Sequence, residues 1–137
     1  HLQEKILPAI KQGKWVVSDR FTDATYAYQG AARGMSFERI AEIENWVQQG
    51  FYPNTTFIFD LPIEIGMARV ASRGGETDRF EQEKHDFFEK VRSAYLQRAS
   101  MAPERYAVLD ASQSLENVQQ SIVNRLEEMM QSMEKTA

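Results

Sequence analysis

Cysteine is absent from the 137 residues, which removes disulfides and thiolate metal sites together and fits a reducing, cytoplasmic compartment. Long apolar runs are missing too. No stretch reaches membrane-spanning length, and the N-terminus lacks the charged, apolar and small-residue layout of a signal peptide, so no membrane partner is expected. Nor is there an excess of positive charge: 16 basic residues face 20 acidic ones, for a net charge of -4. That balance argues against whole-surface binding to nucleic acid or to an anionic membrane, while leaving room for a local basic pocket. Internal repeats and low-complexity tracts are also lacking. What remains is a chain with 42% hydrophobic residues, enough to fill the core of one domain rather than stay disordered. It opens at His1 directly in an amphipathic pattern, and reads like something cut from a longer chain.

Apolar periodicity divides the sequence into alternating elements. Leu2, Ile6, Leu7 and Ile10 share a helical face that Gly13 can stop, and Pro8 either kinks this helix or marks its true first turn. Trp15-Val16-Val17 is short, apolar and β-branched, and predicts a buried strand. Ser36 can cap a helix built on Phe37, Ile40, Ile43 and Val47, ended by Gly50 and Pro53. Thr55 to Leu61 predicts a second strand, Pro62 opens a helix carrying Ile63, Met67 and Val70, and residues 72–80 form a glycine-hinged loop. A long helix with Phe87, Phe88, Val91, Tyr95 and Leu96 follows, then a third strand, Tyr106 to Asp110, and a last helix capped by Ser114. Strands alternating with helices imply an α/β fold, a parallel sheet covered by helices on both faces. All three predicted strands end at or near an acid, Asp19, Asp60 and Asp110, and ligands in such sheets bind beyond the C-terminal strand ends.

Three stretches carry chemistry. Asp19-Arg20 stands where the first strand should stop. An arginine there can fork onto a phosphate, with the aspartate orienting it, or the two can simply close a strand end as a salt bridge. Thr25, Tyr28 and Gln29 follow at spacings that one helical turn would bring to a single face. Their hydroxyl, phenol and carboxamide suit a base and a sugar equally as well as they suit a polar turn. In the second stretch, Ala68 to Glu81, Arg69, Arg73 and Arg79 flank Gly74-Gly75. Such a loop can close over a phosphoryl group and neutralise it, or be ordinary solvated surface. The third, Asp110-Ala111-Ser112, is small and polar and could lie under an adenine ring. His85 reads as solvated, and no second histidine lies near it, so no metal site is expected.

Taken in order, these segments resemble bacterial-type thymidylate kinase. Asp19-Arg20-Phe21 matches that family's Asp-Arg-aromatic motif, and Ala27-Tyr28-Gln29-Gly30 its Ala-Tyr-Gln-Gly. Arg73 to Arg79 matches the arginine lid with one extra residue, and Phe87 to Leu96 has the look of the helix that follows. The resemblance runs essentially from end to end, and implies a P-loop-kinase-like sheet with three of the family's five strands present. By resemblance, Arg20 grips the phosphate of thymidine monophosphate and Asp19 supports the acceptor side. Thr25 and Gln29 face the thymine, and Tyr28 packs under the deoxyribose. Arg73 and Arg79 act on the transferring phosphoryl group and cover ATP, with Asp110, Ala111 and Ser112 beside the adenine. ATP, Mg2+ and a homodimer are implied as well. The family's glycine-rich phosphate loop ending in Lys-Thr or Lys-Ser has no counterpart in this sequence. Residues 1–137 therefore read as the C-terminal portion of one nucleoside monophosphate kinase domain, inactive by itself. The alternatives are another nucleotide or deoxynucleoside kinase of the same fold, or a non-catalytic α/β module that lost the ATP loop.

Overall fold

Two strands rather than three form the sheet among the described residues, which in this computed structural model are 2–73 and 81–136. Strand β1 (Thr56–Asp60) pairs in parallel with β2 (Tyr106–Asp110), Thr56 opposite Tyr106 and Asp60 opposite Asp110. Both segments are rich in the aromatic and branched residues that suit a pleated surface. The expected first strand does not form. Residues 14–18 carry no ladder hydrogen bonds, and Trp15 and Val17 are 63% and 95% exposed. Composition makes a strand competent, but only a hydrogen-bonded neighbour makes it one.

The chain gathers into two units, His1–Tyr52 and Pro53–Ala137. In the first, a π-helical turn, Leu2–Ile6, runs into α1 (Leu7–Lys11), and Pro8, which has no N–H to donate, lies in the first turn of α1 where the winding changes. Gly13, at φ 72°, follows the stop. Helix α2 (Thr22–Thr25) continues directly into a second π-helical stretch, Tyr26–Ala31. Helix α3 (Phe37–Gln48) starts at Ser36, whose hydroxyl accepts from the Arg39 amide, and ends at a left-handed Gln49. Tyr26, Ala27 and Ile40 are buried, and the Tyr26 and Phe37 rings meet edge to face at 5.4 Å.

In the second unit, β1 leads through α4 (Ile63–Ala71) and α5 (Glu81–Met101) to β2, and α6 (Leu115–Thr136) follows. Ser114 caps α6 by accepting from the Asn117 amide at 3.2 Å. The core here is Ile58, Ala99 and Tyr106, with Tyr95 and Ala102 packed against it. Arg125 on α6 ties the strand entrances together, donating to the Glu104 carbonyl at 2.6 Å and to the Thr55 hydroxyl at 3.3 Å. The unit is α/β with a parallel sheet, and helices α5 and α6 lie against β2.

Candidate active site

The polar stretch after Asp19 is helical, not a loop. Its winding buries Asp23, Tyr26, Ala27 and Gly30 on the side that meets α3. Thr25 is left exposed, and Tyr28 and Gln29 half-buried. The Ala32 amide reaches back five residues to the Ala27 carbonyl at 3.2 Å, which is the wider π-type turn. Such turns are rare and gather at functional sites. Thr25, Tyr28 and Gln29 lie on one continuous helical winding, Thr22–Thr25 followed by Tyr26–Ala31.

Arg20 adds a second irregularity. Its φ is 65°, in the left-handed region that costs a residue with a Cβ about 1–2 kcal/mol. The Ser18 hydroxyl steadies this bend by donating to the Arg20 carbonyl at 2.9 Å. Its guanidinium lies 5.0 Å from the centroid of the Tyr28 ring, within cation–π range. A planar cation is thus laid over the phenol eight positions ahead. Asp19 is exposed beside it, in a bend rather than at the end of a strand.

Behind this surface the unit is knit by buried polar pairs. The Tyr26 hydroxyl donates to Glu44 Oε2 at 2.7 Å, and Gln48 Nε2 donates to the Thr22 hydroxyl. A cavity of about 240 Å³ lies between α2 and α3, walled by Phe21, Thr22 and Thr25 on one side and Ile40, Glu44 and Gln48 on the other.

In the second unit, Asp60 and Asp110 end adjacent strands in register. Neither carboxylate is idle. Arg92 on α5 forks onto Asp60, Nε to Oδ1 at 2.7 Å and Nη2 to Oδ2 at 3.1 Å. That hydrogen bonding, chiefly, holds the Asp60 carboxyl below its ordinary range. Asp110 instead closes its own turn, accepting from the Ser112 hydroxyl and, at 2.9 Å, from the Ser112 amide. The Ser112 hydroxyl is the main reason its carboxyl also sits low. The Ala111 amide donates to the Asp60 carbonyl at 2.8 Å, and Arg69 on α4 donates to the Ala111 carbonyl at 3.1 Å. Arg73 is exposed one turn beyond Arg69. Arg79 lies outside the described residues.

Among the described residues no group of three acidic or histidine side chains could hold a metal ion, and both strand-end carboxylates are already committed.

The sequence alone missed several of these partners. Arg92 is 32 positions from Asp60 and carries no motif of its own. His85, expected to be solvated, bonds through Nε2 to Glu64 Oε1 at 2.9 Å and joins α5 to α4. Glu64, first among its causes, raises the His85 pKa, and Asp86 and Glu89 act the same way. Arg69 stood out only as one arginine of a basic loop.

The chain matches the family model described as thymidylate kinase over residues 1–122. It is 61% identical over 122 residues to the thymidylate kinase of Pseudomonas putida (strain GB-1), covering 89% of this chain and 58% of that protein. Identity to the Chromobacterium violaceum thymidylate kinase is 52% over 131 residues, 96% of this chain and 61% of that protein. For the Neisseria gonorrhoeae (strain NCCP11945) thymidylate kinase it is 55% over 122 residues, 89% and 59% respectively. The chain therefore spans 58% to 61% of the length of these three relatives.

Proposed function

The chain belongs to the thymidylate kinase family, and from that premise we propose that the intact protein moves the γ-phosphoryl group of ATP to thymidine monophosphate, releasing thymidine diphosphate. The observation that carries this reading is Arg20 held over Tyr28 at the start of the helical stretch that bears Thr25 and Gln29. A guanidinium and a phenol ring side by side match the phosphate and deoxyribose of one nucleoside monophosphate. Arg20 grips the phosphate, with Asp19 beside it keeping the guanidinium oriented. Tyr28 packs against the sugar where a 2′-hydroxyl would otherwise sit, and Thr25 and Gln29 face the thymine edge. Arg73 and Arg79 neutralise the phosphoryl group in flight, where charge stabilisation supplies most of the rate. Asp110, Ala111 and Ser112 line the adenine.

The 137 residues form the C-terminal portion of one kinase domain, and the lysine-bearing phosphate loop and the magnesium ligands come from outside them. Two copies of the intact protein pair through α3, whose Ile43, Trp46 and Val47 are exposed at helical spacing. A compartment free of membrane, the cytoplasm, suits these substrates, and no helix among the described residues is long and apolar enough to cross one. The test is a coupled assay on the full-length protein with ATP and a panel of thymidine, deoxyuridine, uridine and adenosine monophosphates. Preferential formation of thymidine diphosphate is expected. Equal or better turnover of a ribonucleotide would overturn the assignment of acceptor.

A further inference from the structure

The turn after β2 is held from three directions. Asp110 fixes Ser112 from within, the Asp60 carbonyl takes the Ala111 amide from β1, and Arg69 Nη1 takes the Ala111 carbonyl from α4 at 3.1 Å. The first two contacts are backbone or belong to the turn itself. The third is the only side chain among these that reaches the turn from another element, across 42 positions of sequence. It also comes from a particular place. Arg69 lies in the last turn of α4, and the helical winding carries on past it, with the Ser72 amide bonded to the Ala68 carbonyl and the Arg73 amide to the Val70 carbonyl. The Ser72 hydroxyl donates to the Arg69 carbonyl at 2.8 Å and stiffens that turn. Arg69 therefore couples the segment ending in Arg73 to the turn at 110–112.

We propose that Arg69 is a positioning residue for the phosphoryl donor: it fixes the 110–112 turn against the purine of a nucleoside triphosphate, and so sets donor affinity and purine choice. This rests on the functional reading above. A carbonyl held in place is an acceptor with a direction, and adenine offers an amino group at the position where guanine offers a keto oxygen. With Arg69 on one lone pair, the Ala111 carbonyl cannot turn away, and its second lone pair remains for that amino group. Loss of Arg69 frees the carbonyl without touching either reacting phosphate. The consequence should fall on KM for the donor and leave the chemical step alone.

The experiment uses the full-length protein with Arg69→Gln and Arg69→Lys. For Arg69→Gln, KM for ATP should rise roughly five- to tenfold, as for one exposed charge-assisted hydrogen bond. Turnover number and KM for thymidine monophosphate should stay within about twofold of the wild type, while the preference for ATP over GTP narrows by roughly threefold. Arg69→Lys keeps one N–H donor and should recover most of the ATP affinity. An unchanged KM for ATP and an unchanged ATP-to-GTP ratio would overturn the proposal. So would parallel losses toward both substrates that Lys does not rescue, since those mark a purely structural arginine. A wild-type protein with no ATP-dependent phosphorylation of thymidine monophosphate sinks the functional reading and this proposal with it, whereas an active wild type with an indifferent Arg69 sinks only the latter.

Discussion

Arg20 joins a strained backbone, at φ 65°, to a side chain stacked over Tyr28. Residues held in sparsely populated backbone regions cluster at binding sites, because the surrounding structure must over-determine them. That gives two substitutions with opposite signatures. Arg20→Gly relieves the left-handed strain, so the full-length protein should gain up to about 1 kcal/mol of stability, while Arg20→Ala keeps the strain and should gain nothing. Both lose the guanidinium. Hydrogen bonds to a charged group are worth about 1.5–3 kcal/mol each, so KM for thymidine monophosphate should rise at least tenfold in either variant. Thermal melts and initial rates read the two effects separately. A stabilised Arg20→Gly protein with an unaltered KM would mean that the phosphate is held elsewhere.

Between elements, contact at short range decides which substitutions matter. Gly30 ends the Ala-Tyr-Gln-Gly run because nothing larger fits: a Cβ there would meet Phe37 Cε1 at 2.5 Å and Ile40 Cδ1 at 3.1 Å. The Phe37 ring packs edge to face on Tyr26, so moving aside disturbs that contact. Gly30→Ala should therefore cost about 1–3 kcal/mol by overpacking and push the stretch bearing Tyr28 and Gln29 away from α3. Phe37→Leu in the same background should recover part of that loss, and urea unfolding of the two single variants and the double variant measures the coupling. The Arg92–Asp60 fork between α5 and β1 makes a different kind of prediction. Asp60 has a carboxyl depressed below its ordinary 3.8, so its pairing stabilises the fold above that value and is lost as pH falls through the folded pKa. Arg92→Met should destabilise the protein by about 1–2 kcal/mol near neutral pH, and the gap to the wild type should shrink as pH falls below 3.8 through the lowered folded pKa of Asp60. A gap that persisted in acid would assign the loss to packing rather than to charge. These elements also show what a sequence can and cannot tell. β1, β2, α3 and α6 were legible because their apolar spacing and their caps, Ser36 and Ser114, are local properties. The π-helical winding at Tyr26–Ala31 was not, because it follows from burial of Tyr26, Ala27 and Gly30 against a helix further along the chain. Likewise Arg92 on Asp60, Arg69 on Ala111 and His85 on Glu64 are long-range pairings that no local spacing announces. The candidate residues themselves were legible as motifs; the contacts that would orient them were not.

At the scale of the whole molecule, the Trp15–Val17 segment and the sheet raise one question. Trp15 and Val17 are exposed where a buried strand was expected, and Phe59 on β1 is 57% exposed. Two strands are fewer than an independently stable sheet ordinarily needs, and an open strand edge leaves backbone donors and acceptors unpaired. The proposed phosphate-loop strand would cover such apolar surface and pair such an edge. Each buried polar group left unpaired costs about 1–3 kcal/mol, and a strand carries several, which rivals the 5–15 kcal/mol or so that holds a typical domain together. Expressed alone, the 137 residues should therefore unfold with poor cooperativity, associate through their exposed apolar surface and phosphorylate nothing. Co-expression with a segment that supplies a lysine-bearing phosphate loop should restore a monodisperse species and ATP-dependent formation of thymidine diphosphate. Size-exclusion chromatography with light scattering, urea melts and the coupled assay read these three properties. If the 137 residues alone were monodisperse, unfolded in one sharp transition and turned over thymidine monophosphate, the exposed Trp15–Val17 segment would be a native surface and the reading of these residues as part of a larger domain would fall.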